Sequence, residues 1–293
     1  CAVCCIAARP AAERADPMVK DTRLSTKLWA AANWTLIGFF IVNLFAMIAA
    51  VVTSSFSTRW LRSWLPDGWT TRWYGAAWSE FQLGDVLTVT FQIVFLVVFL
   101  SGLIGVPAAY ALARRDFPGK KLVMLLFLLP LLVPPITFGI PLATVLYRTG
   151  LAGSMSGVVL ANLVPTVPFV ILVMIPFIEQ IDTKIEAAAR VFGANTFKLF
   201  VHVLLPLLMP GILAALLLVL VRTLAMFELT FLTAGPTSQT LVVALYYAVF
   251  AAGVRAVQSI DAMAVIYMVT TLIWLVIALR FVNPTQIVAR AKK

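Results

Sequence analysis

Few side chains in this chain are equipped for covalent chemistry. There is one histidine, His202, and the three cysteines, Cys1, Cys4 and Cys5, all fall within the first five of 293 residues. A CxxC with an adjacent cysteine could in principle bind a metal. No second ligand pair exists, however, and three cysteines so close together offer no disulfide framework for a fold. The phosphate-cradling pattern GxxxxGK[ST] does not occur. No polar groups gather at a shared depth as a membrane enzyme would need. The chain is therefore expected not to be an enzyme, to carry no cofactor and to draw its energy from a partner. His202 reads as a helix-packing or interface residue.

The informative polar stretch is 184–211, KIEAAARVFGANTFKLFVHVLLPLLMPG. Thr183 and Glu186 have the spacing of a capping box, so a helix is expected to start there. Ile185, Ala188, Ala189 and Phe192 follow at helical spacing and form one apolar face. Ala187, Ala188 and Ala189 keep the side chains small, so another surface can approach closely. Gly193 stands where a left-handed residue would end the helix. Asn195 can cap the next one, and Pro206 and Pro210 bracket its entry into an apolar run. A solvated loop does not need this much apolar surface. Two readings fit the residues: a helix–turn–helix knob docked into a cavity on a partner, or an amphipathic connector lying on a bilayer.

Those residues must be positioned by apolar helices. The chain is 62% hydrophobic and 12% charged, where soluble domains are about half apolar and about a quarter charged. Crossing a hydrocarbon core of roughly 30 Å takes about 20 apolar residues. Six stretches qualify, near 29–53, 86–112, 122–147, 156–178, 207–231 and 261–283. An N-terminus on the cytoplasmic side puts sixteen of the 22 Lys and Arg residues inside, among them Arg114, Arg115, Lys184 and Arg190. Five lie outside, and Arg222 falls within the fifth span. The excess of basic residues marks the cytoplasmic side, so both termini and the 180–206 loop are expected there. The net charge of +10 then reflects topology and anionic lipid rather than nucleic acid.

The expected organisation is a cytoplasmic tail over 1–28, a transmembrane domain over 29–283 and a cytoplasmic tail over 284–293. Met18 is a candidate start, which makes residues 1–17 peripheral. The first outer loop, about 54–85, is rich in tryptophan: Trp60, Trp64, Trp69, Trp73 and Trp78. Indole rings favour the membrane interface, so a short amphipathic helix is expected there, as an anchor or as a dock for an external partner. TLVVALYYAVFAA, after Gly235-Pro236, is too short for a seventh span and reads as an outer re-entrant helix.

Candidate pathway residues lie inside the spans. Pro134 and Pro135, with Pro130 and Pro141, interrupt the third span, and Pro165, Pro168 and Pro176 interrupt the fourth. A proline removes a helix hydrogen bond and kinks the helix. In lipid the freed carbonyls must be buried or line a wet cavity, and broken helices often mark a transporter's path. Arg222 sits deep in the fifth span, where a charge faces a cavity or a partner. Glu228 follows six residues on, too far round the helix for an ideal ion pair.

Glu186-Ala187-Ala188, Gly193-Ala194, Leu205-Pro206 and Pro210-Gly211 together resemble the EAA signature of permease subunits of ABC importers of the type I fold. The resemblance extends from about 85 to 283. It implies an all-α membrane protein of about six transmembrane helices with a cytoplasmic coupling helix. It also implies that Glu186, Ala187, Ala188, Gly193, Ala194 and Pro206 couple the chain to an ATP-hydrolysing subunit. The implied partners are a pair of ATPase subunits holding ATP and Mg, a second, homologous permease, an extracytoplasmic solute-binding protein and membrane lipid, in a bacterial inner membrane. FELTFLTAGPTSQTLVVALYY is similar to the spermidine/putrescine-type branch, whose relatives also carry ferric iron, thiamine and phosphonates. Sugar-type permeases usually have a Trp-Asn-Glu-like element where this chain has Met226-Phe227-Glu228. A sugar permease is the first alternative. An autonomous ion-coupled transporter is the second, and its need for acidic residues within several spans is poorly met.

Overall fold

The computed structural model describes residues 18–60, 66–250 and 256–281. Cys1, Cys4, Cys5, Trp64 and the expected tail over 284–293 lie outside the described residues. The chain forms two compact units, Cys1–Val51 and Val52–Lys293. Helix α1 (Met18–Phe56) is unbroken, so residues 18–28 are helical. Within the first unit, Trp34, Phe39, Phe40 and Phe45 spread round its axis. A helix apolar on every side belongs in lipid or in a large core.

In the second unit the core is built by α3 (Leu83–Arg114), α6 (Met155–Glu179) and α9 (Leu205–Leu224). Their facing side chains include Ile93, Val97 and Val106 of α3, Val170, Ile171 and Met174 of α6, and Leu208, Ala215 and Val219 of α9, all buried. Lipid is as apolar as leucine, so close packing rather than water exclusion holds such helices together, and small residues permit it. Gly105 shows how tight the packing is: a Cβ there would sit 2.7 Å from Cγ1 of Val170. A Cβ on Gly102 would meet Leu216 of α9 at 2.8 Å, and one on Gly211 would meet Phe177 of α6 at 2.7 Å. Glycine thus lets α3 touch both other core helices, and lets α9 touch α6.

The third expected span is two helices, α4 (Lys120–Leu132) and α5 (Pro135–Arg148), bent by 100°. A residue before proline is pushed out of the helical region, and Pro134-Pro135 does this twice. Val133 has ψ 134° and Pro134 has ψ 134°, while Pro135 opens α5. At about 1.5 Å per residue, neither helix alone reaches the roughly 30 Å of a hydrocarbon core. The fourth span behaves differently. Despite Pro165, Pro168 and Pro176, α6 runs as one helix, so the expectation of a break holds for one proline-rich span and not for the other.

The fifth span is displaced. Helical structure runs from Thr196 to Leu224, through α8 (Thr196–Lys198), a π-helical turn over Leu199–Leu204 and α9. Pro206 has no N–H for the carbonyl of His202, and the hydrogen-bond ladder widens in the turn just before it. Beyond Leu224 the helix stops, and Glu228 opens a separate helix, α10 (Glu228–Thr233). The helical spacing assumed between Arg222 and Glu228 therefore does not apply.

Among the described residues five helices are long and apolar enough to cross a membrane, six if the α4–α5 pair is one span. The others are α1, α3, α6, the 196–224 helix and α12 (Val257–Phe281). No strand is formed among the described residues, only an isolated bridge between Ser57 and Trp69. That bridge folds the tryptophan-rich segment back. The expected short helix is α2 (Arg72–Glu80), and Trp73 donates its indole N–H to Ser57 O at 2.7 Å. Ala77 of α2 packs with Leu83, Met263 of α12 and Leu241. Leu241 begins α11 (Leu241–Phe250), ten residues and too short to cross.

Candidate functional site

The 180–206 loop contains α7 (Thr183–Val191). Its N-cap is Asp182, whose carboxylate accepts from Lys184 N at 2.9 Å. The expected capping box between Thr183 and Glu186 is not formed: Thr183 is already the first helical residue. Asp is as good a cap as Thr, and the shift of one residue frees Glu186 for another partner. The far end closes as a Schellman motif. Gly193 has φ +83°, its N–H reaches Arg190 O at 2.9 Å, and Ala194 N reaches Ala189 O at 3.1 Å. Asn195 caps the next helix as its position suggested, accepting from Lys198 N at 2.8 Å.

Glu186 is the signature residue whose placement only the tertiary structure reveals. Only 8% of it is exposed. One carboxylate oxygen accepts from Nε of Arg114 at 2.7 Å, and the other accepts from the Tyr110 hydroxyl at 2.7 Å. The same guanidinium donates through a terminal nitrogen to Ile181 O at 2.6 Å. Arg114 and Tyr110 are one turn apart on the last stretch of α3, and the Tyr110 ring meets Phe200 edge-on at 5.8 Å. Charge-assisted, geometrically matched bonds of this kind are the strong ones. Sequence reasoning treated Arg114 only as a topological charge and passed over Tyr110. No local signal links either residue to Glu186.

With Glu186 turned inward, most of α7 faces out. Ala187 and Ala188 are exposed, Ala189 and Ala194 are partly buried against the core, and Pro206 is exposed in the first turn of α9. The expected apolar face is thus split: Ile185, Ala188 and Phe192 remain outside while Ala189 turns in. Val191 is 86% and Phe192 91% exposed. A fixed, capped helix thus presents two large apolar side chains outward at its tip. His202 is exposed in the π-helical turn.

The candidate pathway residues are not assembled into an ion pair. Arg222, half-buried near the end of α9, lies with its guanidinium carbon 5.4 Å from the Phe169 ring centroid, within reach of a cation–π attraction. Neither Arg222 nor Glu228 is part of a salt bridge among the described residues. Pro134 and Pro135 stand at the α4–α5 bend. Among the described residues no group of three or more His, Cys, Asp or Glu could hold a metal ion. A groove of about 810 Å³ between α3 and the 196–216 stretch is lined by Phe99, Leu103, Phe197, Phe200 and Leu216, too apolar for a polar solute.

The family model for the binding-protein-dependent transport system inner membrane component matches residues 101–288. The chain is 29% identical over 187 residues to the diacetylchitobiose uptake system permease protein of Streptomyces coelicolor, covering 64% of this chain and 60% of that protein. The match therefore spans less than two thirds of the relative's length. The chain is 36% identical over 155 residues to a molybdenum transport system permease protein of Haemophilus influenzae, covering 47% of this chain and 67% of that protein. These names do not single out the spermidine/putrescine-type branch. Among solved structures, a bacterial ABC transporter involved in the import of the acidic polysaccharide alginate superimposes with a TM-score of 0.71 at 18% identity, over 88% of this chain and 98% of that one. That likeness gives the fold, the all-helical type I importer permease fold. The chain belongs to the family of binding-protein-dependent transport system inner membrane components, the multi-pass permease subunits of ABC importers.

Proposed function

We propose that this chain forms the translocation pathway of an ATP-driven importer together with a second, homologous permease. The 180–206 loop docks on one of a pair of ATPase subunits, which hold ATP and Mg. The observation that carries this reading is the exposed tip formed by Val191 and Phe192 on a helix held to α3 through Glu186. Ala187 and Ala188 leave room beside it for a groove wall, and Gly193 and Ala194 turn the chain away. A solute-binding protein delivers cargo from outside. Solved relatives support partners of these kinds: one is a methionine ABC transporter, and another is the alginate transporter in complex with its periplasmic protein. The setting is a bacterial inner membrane with both termini in the cytoplasm, supported by the distribution of Lys and Arg.

The cargo is a small polar solute. The half-buried guanidinium of Arg222, in no salt bridge among the described residues, would repel a polycation, which disfavours a polyamine, and the phosphonate-like class of the same branch fits it better. A sugar cargo is the second reading, favoured by the diacetylchitobiose relative. The deciding experiment is gentle extraction of the tagged chain from its native membrane, followed by native mass spectrometry of what co-purifies. An ATPase pair, a second permease and a binding protein with its retained ligand support the proposal and name the cargo. A chain that emerges alone and still transports in vesicles without ATP overturns it in favour of an ion-coupled transporter. Phe192→Asp should abolish ATPase association while the membrane helices stay folded.

A further inference from the structure

We propose that Arg114, seconded by Tyr110, is the positioning residue that makes α7 and α3 move as one body, so that displacement of the loop reaches the core helices. The inference rests on the reading of 180–206 as the ATPase-docking loop. Arg114 grips α7 at two places, the Glu186 carboxylate and the Ile181 carbonyl just before the cap, and Tyr110 adds a third bond one turn away. A planar guanidinium that makes two bonds fixes direction as well as distance. A single ion pair would leave the helix free to swivel, since it is joined to the chain by short turns on both sides, one of them at Gly193. Glu186 also has a nearer candidate, Arg190, one turn along its own helix, yet it bonds across to α3 instead.

From Arg114 the path continues through contacts too close to slip. α3 meets α6 at Gly105 and Val170, and meets α9 at Gly102 and Leu216. Packed elements of this kind shift as bodies rather than deform. The tie is largely removed from water, so salt screens it little. Arg114 acts through Glu186.

The test uses the full transporter complex with Cys1, Cys4 and Cys5 replaced by serine and spin labels at two exposed sites, Lys184→Cys on α7 and Thr88→Cys on α3. Electron–electron distances are measured without nucleotide and after trapping with ATP and vanadate. With Arg114 present, the distribution should be narrow and unmoved by trapping. In Arg114→Ala it should broaden and shift on trapping. Arg114→Lys, which keeps the charge but loses the fork, should fall between. A distribution in Arg114→Ala as narrow and unmoved as in the parent overturns the proposal. If Arg114→Ala does not assemble, Arg114→Lys and Tyr110→Phe carry the same readout, and an unchanged distribution in both overturns it equally. Phe192→Asp separates the underlying reading: ATPase subunits that still bind this variant refute docking through the loop, whatever the labels on α3 and α7 report.

Discussion

Arg114 Nε and Glu186 Oε1 meet at 2.7 Å across 72 positions of sequence. The contact joins the last turn of a long core helix to the first turn of a nine-residue helix in the loop after the next long span. Glu186 is therefore bonded within this chain, and the exposed surface of the loop is made by its neighbours.

Removing the anchor has a defined consequence. Glu186→Ala leaves the Arg114 guanidinium partly buried without its counter-charge, and breaking such a pair from one side costs about 3 kcal/mol. The loss falls on α7. Amide exchange over 181–191 should accelerate in Glu186→Ala, while α3 and α6 stay protected. Unchanged exchange would mean that the ion pair does not hold the loop.

Gly193 has φ +83° and open space around its Cα, so backbone conformation alone limits substitution. Gly193→Asn should be tolerated, because Asn visits the left-handed region readily. Gly193→Val should cost about 1–2 kcal/mol in local strain and reduce ATPase association in pull-down. Equal behaviour of the two variants would place the constraint elsewhere.

Gly105 has the opposite limit, space rather than angle. Its neighbours Val170 Cγ1 and Cβ stand 2.7 and 2.8 Å from the position a Cβ would take. Gly105→Leu should separate α3 from α6 and destabilise the protein by about 1–3 kcal/mol, read as a lower Tm in detergent. Gly75→Ala, with nothing within 4 Å, should leave Tm unchanged or raise it slightly.

The α4–α5 bend is expected to depend on Pro134 and Pro135. Replacing both with alanine restores two N–H donors and favours one continuous helix. Gly139 of α5 packs against Leu229 and Leu232 of α10, and a straightened helix would pull away from them. Reduced Tm and loss of uptake in vesicles should follow. Wild-type uptake in the double variant would show that the bend is not needed for transport.

The local features were legible in the sequence because their causes are local. Apolar length marked six spans. Consecutive prolines fixed the bend at Val133–Pro134, and Gly193 and Asn195 marked the end of one helix and the start of the next. The family signature was legible too, since it is a pattern of residues at fixed spacing. Near misses occurred where neighbouring residues compete on nearly equal terms. Asp182 took the cap from Thr183, and the helix before Pro206 began eleven residues ahead of its most apolar part.

Contacts between distant elements were decided only by the tertiary structure. Arg114, Arg115 and Arg190 are equivalent as charges, and local spacing favours Arg190, yet it is Arg114 that meets Glu186. The packing of α3 on α6 and α9, set by close approach at Gly105 and Gly102, brings Arg114 and Tyr110 beside α7. The same packing decides that Glu186 turns inward while Val191 and Phe192 stay outside. Charge and apolar periodicity are properties of the chain, whereas the choice among equivalent partners depends on how close two helix backbones can come.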